Sequence, residues 1–244
     1  MPIISLKGLR GGVGTTTLSS ALAWELNKLG EKVIVIDMSP DNLLRLHFNS
    51  DFSDPSGWAN AIYENKSWET TAWEYKDNLL FIPFGILSSK EKEAMLVNQN
   101  IFSFWTSNID KIKNRTEYNW VVIDLPTNSY SQCSPMEQIS DIVINIAVPE
   151  TNCHTRIFQE SEINGYLLAN KFDVRSELQN DIYQYWTHRL DNLLPIAIHH
   201  DESIMESAAS KCPVGQYRPE SLGASEIHAL AIWCLTHAKK MDIQ

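Results

Sequence analysis

Residues 8–17 read GLRGGVGTTT and follow the short apolar run IISL at residues 3–6. The run predicts a strand and the segment from Thr16 predicts a helix, so a glycine-rich loop connects the two. Such glycines let the backbone curl and turn successive N–H groups inward, which makes an anion nest at the positive end of the helix dipole. The sequence therefore predicts a phosphate-binding loop, formed by Arg10, Gly11, Gly12, Val13, Gly14, Thr15, Thr16 and Thr17.

The loop departs at two positions from the phosphate-loop template G-x-x-x-x-G-K-[ST]. Leu9 stands where the template has its first glycine, and Thr15 stands where it has a lysine. Thr16 keeps the hydroxyl that such loops give to Mg²⁺. By this template alone, a structural glycine turn is an equal alternative to a nucleotide site.

Short β-branched runs alternate with longer helical patterns along the chain, which is the signal for βαβ units. Several runs are almost entirely apolar, as expected of strands covered by helices on both faces. The predicted fold class is therefore α/β, a mostly parallel sheet flanked by helices on both faces. The predicted strands are 3–6, 33–36, 79–82, 120–123, 142–148, 163–169 and 195–198. The predicted helices are 16–29, 91–113, 176–190, 203–210 and 224–238.

The composition of the chain limits its compartment and its partners. We expect one domain spanning residues 1–244, which is long enough to bury a substantial core. Its four cysteines lie far apart and predict neither a disulfide framework nor a zinc site. The sequence shows no secretory signal and no apolar run of about 18 residues, so we expect a cytoplasmic protein without direct membrane insertion. A formal net charge of −10 argues against nucleic acid as a partner.

In three further stretches after the glycine loop, an acidic residue follows a predicted strand. VIVIDMSP at residues 33–40 places Asp37 after a strand, VVIDLP at residues 121–126 places Asp124 after another, and Glu150 follows a third. Together with the loop, these stretches resemble the deviant Walker ATPases of the MinD and ParA class. The resemblance implies a P-loop protein with ATP and Mg²⁺ as cofactors.

Asp37 and Asp124 are the acidic candidates for the chemistry of this site. Both follow apolar strands on the expected ligand side of the sheet, which favours a metal or water-positioning role. The resemblance implies that Thr16, Asp37 and Asp124 serve Mg²⁺, and that Asp37 positions water for any hydrolysis. The alternative is that the two aspartates cap neighbouring helices or turns.

Four more residues complete the nucleotide site that the resemblance implies. Arg10 aligns with the signature lysine of the class, which reaches the phosphates of the partner subunit, and Glu150 lies in the segment near the partner's nucleotide. Asn170 and Pro213 lie where the class cradles adenine. The alternatives are a surface charge for Arg10, a turn for Asn170, and a solvated ion pair between Glu150 and Arg156.

Within that class, five stretches resemble the MinD/ParA-like proteins encoded with bacterial cellulose synthase. They are LRGGVGTTT, SPDNLLRLHFN, NCHTR, NDIYQYW and PVGQYR, spread from residue 9 to residue 218. The resemblance implies a cytoplasmic homodimer with nucleotide at its interface, recruited to the inner membrane through partners. The implied partners are a small cellulose-operon subunit, a cyclic-di-GMP-sensing protein and the cellulose synthase complex.

Two classes of function remain open. The first is an ATP-locked scaffold of a secretion complex, and the second is an ATPase that cycles in order to position a cargo. Thr15 carries no charge and Ser39 replaces an aspartate of the class, so the sequence favours the scaffold, with slow or absent hydrolysis. A third option is a related protein that binds no nucleotide.

Two features are not assigned to the site. The tryptophan-rich stretch 58–75 favours packing in the core, and the alternative is a surface that partner proteins cover. The histidines at 154, 199 and 200 lack metal-ligand spacing, so neither they nor the neighbouring Asp201 are assigned any chemistry.

Overall fold

The computed structural model describes residues 1–97, 100–113, 117–127, 130–159 and 163–241. Eight strands form one sheet within this part of the chain. They are β1 (Ile3–Gly8), β2 (Val33–Asp37), β3 (Trp73–Lys76), β4 (Leu79–Ile82), β5 (Trp120–Leu125), β6 (Ile142–Ala147), β7 (Tyr166–Phe172) and β8 (Leu193–His199). Their spatial order is β3-β4-β2-β5-β1-β6-β7-β8, and every neighbouring pair is parallel except β3 and β4.

Helices cover this sheet. They are α1 (Thr15–Lys28), α2 (Trp58–Tyr63), α3 (Ser89–Val97), α4 (Asn100–Lys113), α5 (Tyr130–Ile139), α6 (Thr151–Gln159), α7 (Glu177–Arg189), α8 (Glu202–Ala209), α9 (Val214–Tyr217) and α10 (Leu222–Met241). Two short 3₁₀ helices span Leu44–Phe48 and Trp68–Thr71. Within the described ranges, none of these helices combines the length and the apolar character needed to cross a bilayer.

Adjacent residues of the central strands pack into two different apolar cores, one on each face of the sheet. In β2, Val33 and Val35 belong to the core that includes α1 and α10. Ile34 and Ile36 belong to the core that includes α4 and α5. Side chains alternate between the two faces of a strand, so a strand covered on both faces is apolar at every position. The predicted fold class, α/β with a mostly parallel sheet, is confirmed.

One predicted strand begins later in the chain than expected. The strand predicted at 163–169 is β7, three residues later, because Gly165 first turns the chain with a φ of +86°. A Cβ at Gly165 would lie 2.4 Å from the carbonyl oxygen of Val143, so the turn requires glycine. The described parts of the helix predicted at 91–113 are helical, as α3 and α4, and residues 98–99 between them lie outside the described part of the chain.

Two of the three tryptophans in the tryptophan-rich stretch are buried in a core. Trp58 is 1% exposed and Trp68 is 8% exposed. Their rings lie 5.5 Å and 5.0 Å from that of Trp105 on α4, so the packing interpretation is confirmed for both. Trp73 is 40% exposed. It lies on β3, the antiparallel strand at the edge of the sheet, and this strand was not among the predicted strands.

Candidate nucleotide-binding site

The glycine loop joins β1 to α1 at the carboxyl end of a central strand. β1 is flanked by β5 and β6, so the loop lies near the middle of the sheet edge, where open α/β sheets bind ligands. Gly12 and Gly14 have φ angles of +79° and +97°, in the left-handed region that glycine adopts without strain. Gly14 is the N-cap of α1, so the first N–H groups of the helix face the loop. The backbone therefore has the form of an anion nest.

Val13 and Thr15 anchor the loop to the rest of the protein. Val13 is 1% exposed and packs in the core beside α1. Thr15 is 8% exposed, and its hydroxyl oxygen lies 2.6 Å from the place that a Cβ on Gly8 would occupy. The side chain of Thr15 is thus close to the end of β1. A neutral, buried threonine occupies the position that the template gives to lysine.

Two cavities adjoin the loop. The first, the loop cavity, has a volume of about 550 Å³, and its lining includes Gly11, Gly12, Thr16, Ser39 and Pro126. The second, the side cavity, has a volume of about 340 Å³, and its lining includes Leu18, Asn170, Ile204, Met205 and Ala208. Gly14, Thr17 and Lys171 line both cavities. Volumes of this size suit a small-molecule ligand that extends from one cavity into the other.

Asp124 has the surroundings expected of a residue that serves Mg²⁺. Burial raises its pKa to about 7, while hydrogen bonds from the hydroxyls of Thr16 and Ser19 oppose the rise. Ser19 Oγ donates to Oδ1 over 3.1 Å. The other oxygen, Oδ2, is buried without a hydrogen-bond partner in the described part of the chain. An orphaned carboxylate oxygen is costly, and a hydrated Mg²⁺ would satisfy it. The residues present therefore fit Mg²⁺ beside Thr16.

Asp37 lies beside Asp124, at the end of the neighbouring strand β2, and is fully buried. Its oxygens accept hydrogen bonds from the backbone N–H groups of Ser39, over 2.8 Å, and Leu44, over 3.2 Å. Burial, and then the charge of Asp124, raises the pKa of Asp37 well above its ordinary range. These contacts are those of a turn-capping residue, the alternative kept open above. The metal and water-positioning roles of Asp37 stay predictions.

Arg10 and Arg156 both contact the first part of the loop. Arg10 forms an ion pair with Glu150 of the same chain, through Nε and the carboxylate Oε1. It also donates a hydrogen bond to the carbonyl oxygen of Gly11 over 2.7 Å. Arg156 on α6 donates to the carbonyl oxygen of Leu9 over 2.6 Å. The two arginines thus connect the start of the loop to Glu150 and to α6.

Asn170 and Pro213, both predicted to lie near a base, occupy different places. Asn170 is 4% exposed and lines the side cavity, and its Nδ2 donates to the carbonyl oxygen of Val13 over 2.7 Å. Pro213 is the N-cap of α9, which packs against α1 near Glu25. Residues of β8 and α8 line the side cavity together with Asn170, and Pro213 is not among the described residues that line it. The placement of Asn170 and Pro213 near a base stays a prediction.

Sequence reasoning missed several residues of the two cavities. Lys92 on α3 lines the loop cavity, and Lys171 lines both. Lys171 directly follows Asn170, so its position offered a signal, whereas nothing in the sequence connects Lys92 to the loop. The three residues at the end of β8 that were assigned no chemistry also line the side cavity, namely His199, His200 and Asp201.

The fold of this chain has counterparts among solved structures. One is the septum site-determining protein MinD from Pyrococcus horikoshii, complexed with Mg-ADP. It superposes with a TM-score of 0.72 at 21% sequence identity, and the match covers 94% of each chain. The fold and the loop define a P-loop ATPase fold of the MinD/ParA type.

The sequence then places the chain in one family of that class. The family model described as cellulose biosynthesis protein BcsQ matches residues 1–235. The BcsQ protein of Salmonella typhi is 42% identical over 238 residues, which cover 97% of this chain and 95% of that protein. The BcsQ protein of Escherichia coli K12 is 42% identical over 236 residues, which cover 96% of this chain and 94% of that protein. The chain belongs to the BcsQ family of cellulose biosynthesis proteins.

Proposed function

We propose that this chain is an ATP-binding subunit that acts as a regulatory scaffold in bacterial cellulose biosynthesis. One observation carries the proposal: the loop keeps a complete main-chain nest, while neutral Thr15 stands in the place of the lysine. Membership of the BcsQ family supports the role in cellulose biosynthesis. The MinD relative complexed with Mg-ADP supports a magnesium nucleotide as the ligand.

The proposed ATP extends from the side cavity into the loop cavity. Its base lies beside Asn170 and its phosphates accept hydrogen bonds from the N–H groups of the nest. Thr16 and Asp124 are the proposed residues for Mg²⁺, which neutralises phosphate charge when bound. The guanidinium of Arg10 offers a bidentate, charge-assisted contact to the phosphates bound by the partner subunit of the dimer proposed below.

Slow or absent hydrolysis is the second part of the proposal. Phosphoryl transfer needs positive charge where negative charge develops, and it needs a water molecule held in line. Thr15 supplies no charge, and Ser39 is not an anionic acceptor. Asp37 is the remaining candidate for positioning water, but both of its carboxylate oxygens already accept backbone hydrogen bonds.

The third part of the proposal concerns assembly. A homodimer encloses two nucleotides, with Arg10 at the partner's phosphates and Glu150 near its ribose. The dimer works in the cytoplasm with a small cellulose-operon subunit and a cyclic-di-GMP-sensing protein, through which it joins the cellulose synthase complex at the inner membrane. A scaffold locked by ATP suits this task, because it holds an assembly together instead of cycling.

The nucleotide that co-purifies with the protein tests this function. Mass spectrometry of the released ligand is expected to find ATP, and calorimetry of the emptied protein is expected to show ATP binding that tightens with Mg²⁺. Bound ADP with rapid turnover would favour the cycling ATPase instead. No affinity for ATP at millimolar concentration would overturn the proposal.

A further inference from the structure

The backbone after Asn170 is irregular. Lys171 has a φ of +54°, in the left-handed region that residues with a Cβ rarely adopt. The pairing of β7 with β8 shifts there, because Ala169 pairs with Ala197 but Phe172 pairs with His199. β7 thus carries one more residue than β8 over this interval, which is a β-bulge. Bulges occur next to active sites, where they redirect a side chain.

The bulge directs two consecutive side chains at the glycine loop. Asn170 Nδ2 donates to the carbonyl oxygen of Val13 over 2.7 Å, and Lys171 Nζ donates to the carbonyl oxygen of Gly12 over 2.8 Å. Consecutive side chains of a regular strand point to opposite faces of the sheet, so a regular β7 would not send both to one loop. Backbone strain of this kind is found at ligand-binding sites.

The side chain of Lys171 lies where the two cavities meet, since it lines both. An ammonium group has three N–H donors, and the hydrogen bond to Gly12 uses one of them. The other two are available for a ligand that passes from one cavity to the other. In the binding mode proposed above, with the base in the side cavity and the phosphates at the loop, the first phosphates would lie at this junction.

We propose that Lys171 binds the nucleotide phosphates and supplies from β7 the positive charge that position 15 lacks. This inference rests on the ATP binding proposed above. A lysine in the template reaches the phosphates from the first turn of the helix, whereas Lys171 reaches them from the opposite wall of the loop. At the junction this cation would contact the first phosphates of bound ATP and not the phosphate that is transferred. It therefore supports affinity without restoring hydrolysis.

The test compares two substitutions of Lys171 and one control. Lys171→Gln keeps a donor for the Gly12 carbonyl and removes the charge, whereas Lys171→Arg keeps both. Calorimetry is expected to show ATP binding that is weaker by about ten- to a hundredfold for Lys171→Gln, the range for a hydrogen bond to a charged group. Adenosine binding, measured by competition, is expected to change less than about twofold. Lys211→Gln is the matched control, because Lys211 is also a left-handed lysine, with a φ of +55°.

Further outcomes separate this inference from the proposed function. Thr15→Lys, added to Lys171→Gln, is expected to restore ATP affinity, because it returns a charge to the loop. If wild type binds ATP and Lys171→Gln binds it equally well, the role of Lys171 is wrong and the proposed function stands. Equal losses for ATP and adenosine would show a structural role and overturn the inference. If wild type binds no ATP, both ideas fail.

Discussion

Arg10 forms an ion pair with Glu150 of its own chain, and the two side chains are 32% and 30% exposed. An ion pair this exposed contributes about 0–1 kcal/mol, so a phosphate group competes with Glu150 at little cost. The pair also holds the guanidinium at the start of the loop, which reduces the entropy lost when a phosphate replaces the carboxylate. The ion pair therefore holds the Arg10 guanidinium at the start of the loop, near the phosphates that it contacts in the proposed dimer.

Arg10→Ala is expected to shift the protein toward monomer in the presence of ATP and Mg²⁺. The physical reason is that the proposed interface encloses two highly charged nucleotides, and each loses a bidentate cation from the partner. Light scattering with ATP measures the shift. Arg175→Ala is the control, because Arg175 also pairs with a carboxylate, that of Asp173, but at an exposed site after β7. An unchanged dimer in Arg10→Ala would show that Arg10 does not bridge subunits.

Gly14→Ala is expected to abolish ATP binding. Gly14 has a φ of +97°, and a Cβ there would lie 2.6 Å from Nδ2 of Asn170. The substitution must therefore displace either the loop or the amide that holds it. Calorimetry with ATP measures the loss.

Gly30→Ala is the matched control for Gly14→Ala. Gly30 has a φ of +95°, close to that of Gly14, but a Cβ there meets no described atom within 4 Å. It is expected to lower the free energy of unfolding by about 1 kcal/mol and to leave ATP affinity unchanged. Wild-type affinity in Gly14→Ala would contradict the proposed nest.

Much of the fold followed from the sequence, because strands covered on both faces produce apolar runs that carry their own signal. β2 is an example, with consecutive residues buried in two cores. The bulge in β7 gave no such signal, since it depends on how β7 pairs with β8. Glycine turns also shift strand bounds, as Gly165 does before β7.

The loop was also predictable, since its glycines lie within a few residues of one another and their conformations are local. Contacts across the sheet were not, because they join residues far apart in the chain. The pairing of Arg10 with Glu150 spans 140 residues and the bond from Lys171 to Gly12 spans 159. The resemblance to a class of ATPases indicated which residues share the site, but it did not indicate which of them form ion pairs or hydrogen bonds with one another.

Asp124→Asn is expected to change how the stability of the nucleotide-free protein depends on pH. Burial raises the pKa of Asp124 from its ordinary 3.8 to about 7, so between these values the folded protein holds a proton that the unfolded chain has lost. The wild-type free energy of unfolding therefore falls as pH rises from about 4 to about 7, by on the order of a few kcal/mol.

Urea denaturation without nucleotide at pH 5 and pH 8 measures this effect. Asparagine does not titrate, so Asp124→Asn is expected to lose less stability between the two pH values than wild type does. The smaller loss has a second source, because the charge of Asp124 also raises the pKa of Asp37. Equal pH dependence in the two proteins would show that Asp124 is ionised in the folded chain, with a pKa close to its ordinary value.

Thr15→Lys combined with Ser39→Asp is expected to raise the rate of ATP hydrolysis. The lysine places charge at the transferring phosphate, and the aspartate restores an anionic acceptor in a residue that lines the loop cavity. Loss of one preorganised stabilising group costs about 2.7 to 4 kcal/mol of barrier, or a hundred- to a thousandfold in rate. The double variant is therefore expected to hydrolyse ATP roughly a hundred- to a thousandfold faster than wild type. Single-turnover release of phosphate from bound ATP measures the rate.

The two single variants show which missing group limits hydrolysis. Ser39→Asp alone adds a third carboxylate beside Asp37 and Asp41, so it is expected to be less stable than wild type and to gain little activity. Thr15→Lys alone supplies the transition-state charge and is expected to give most of the increase. If wild type already releases phosphate at the rate of the double variant, missing charge is not what holds ATP in place, and the chain cycles instead of locking.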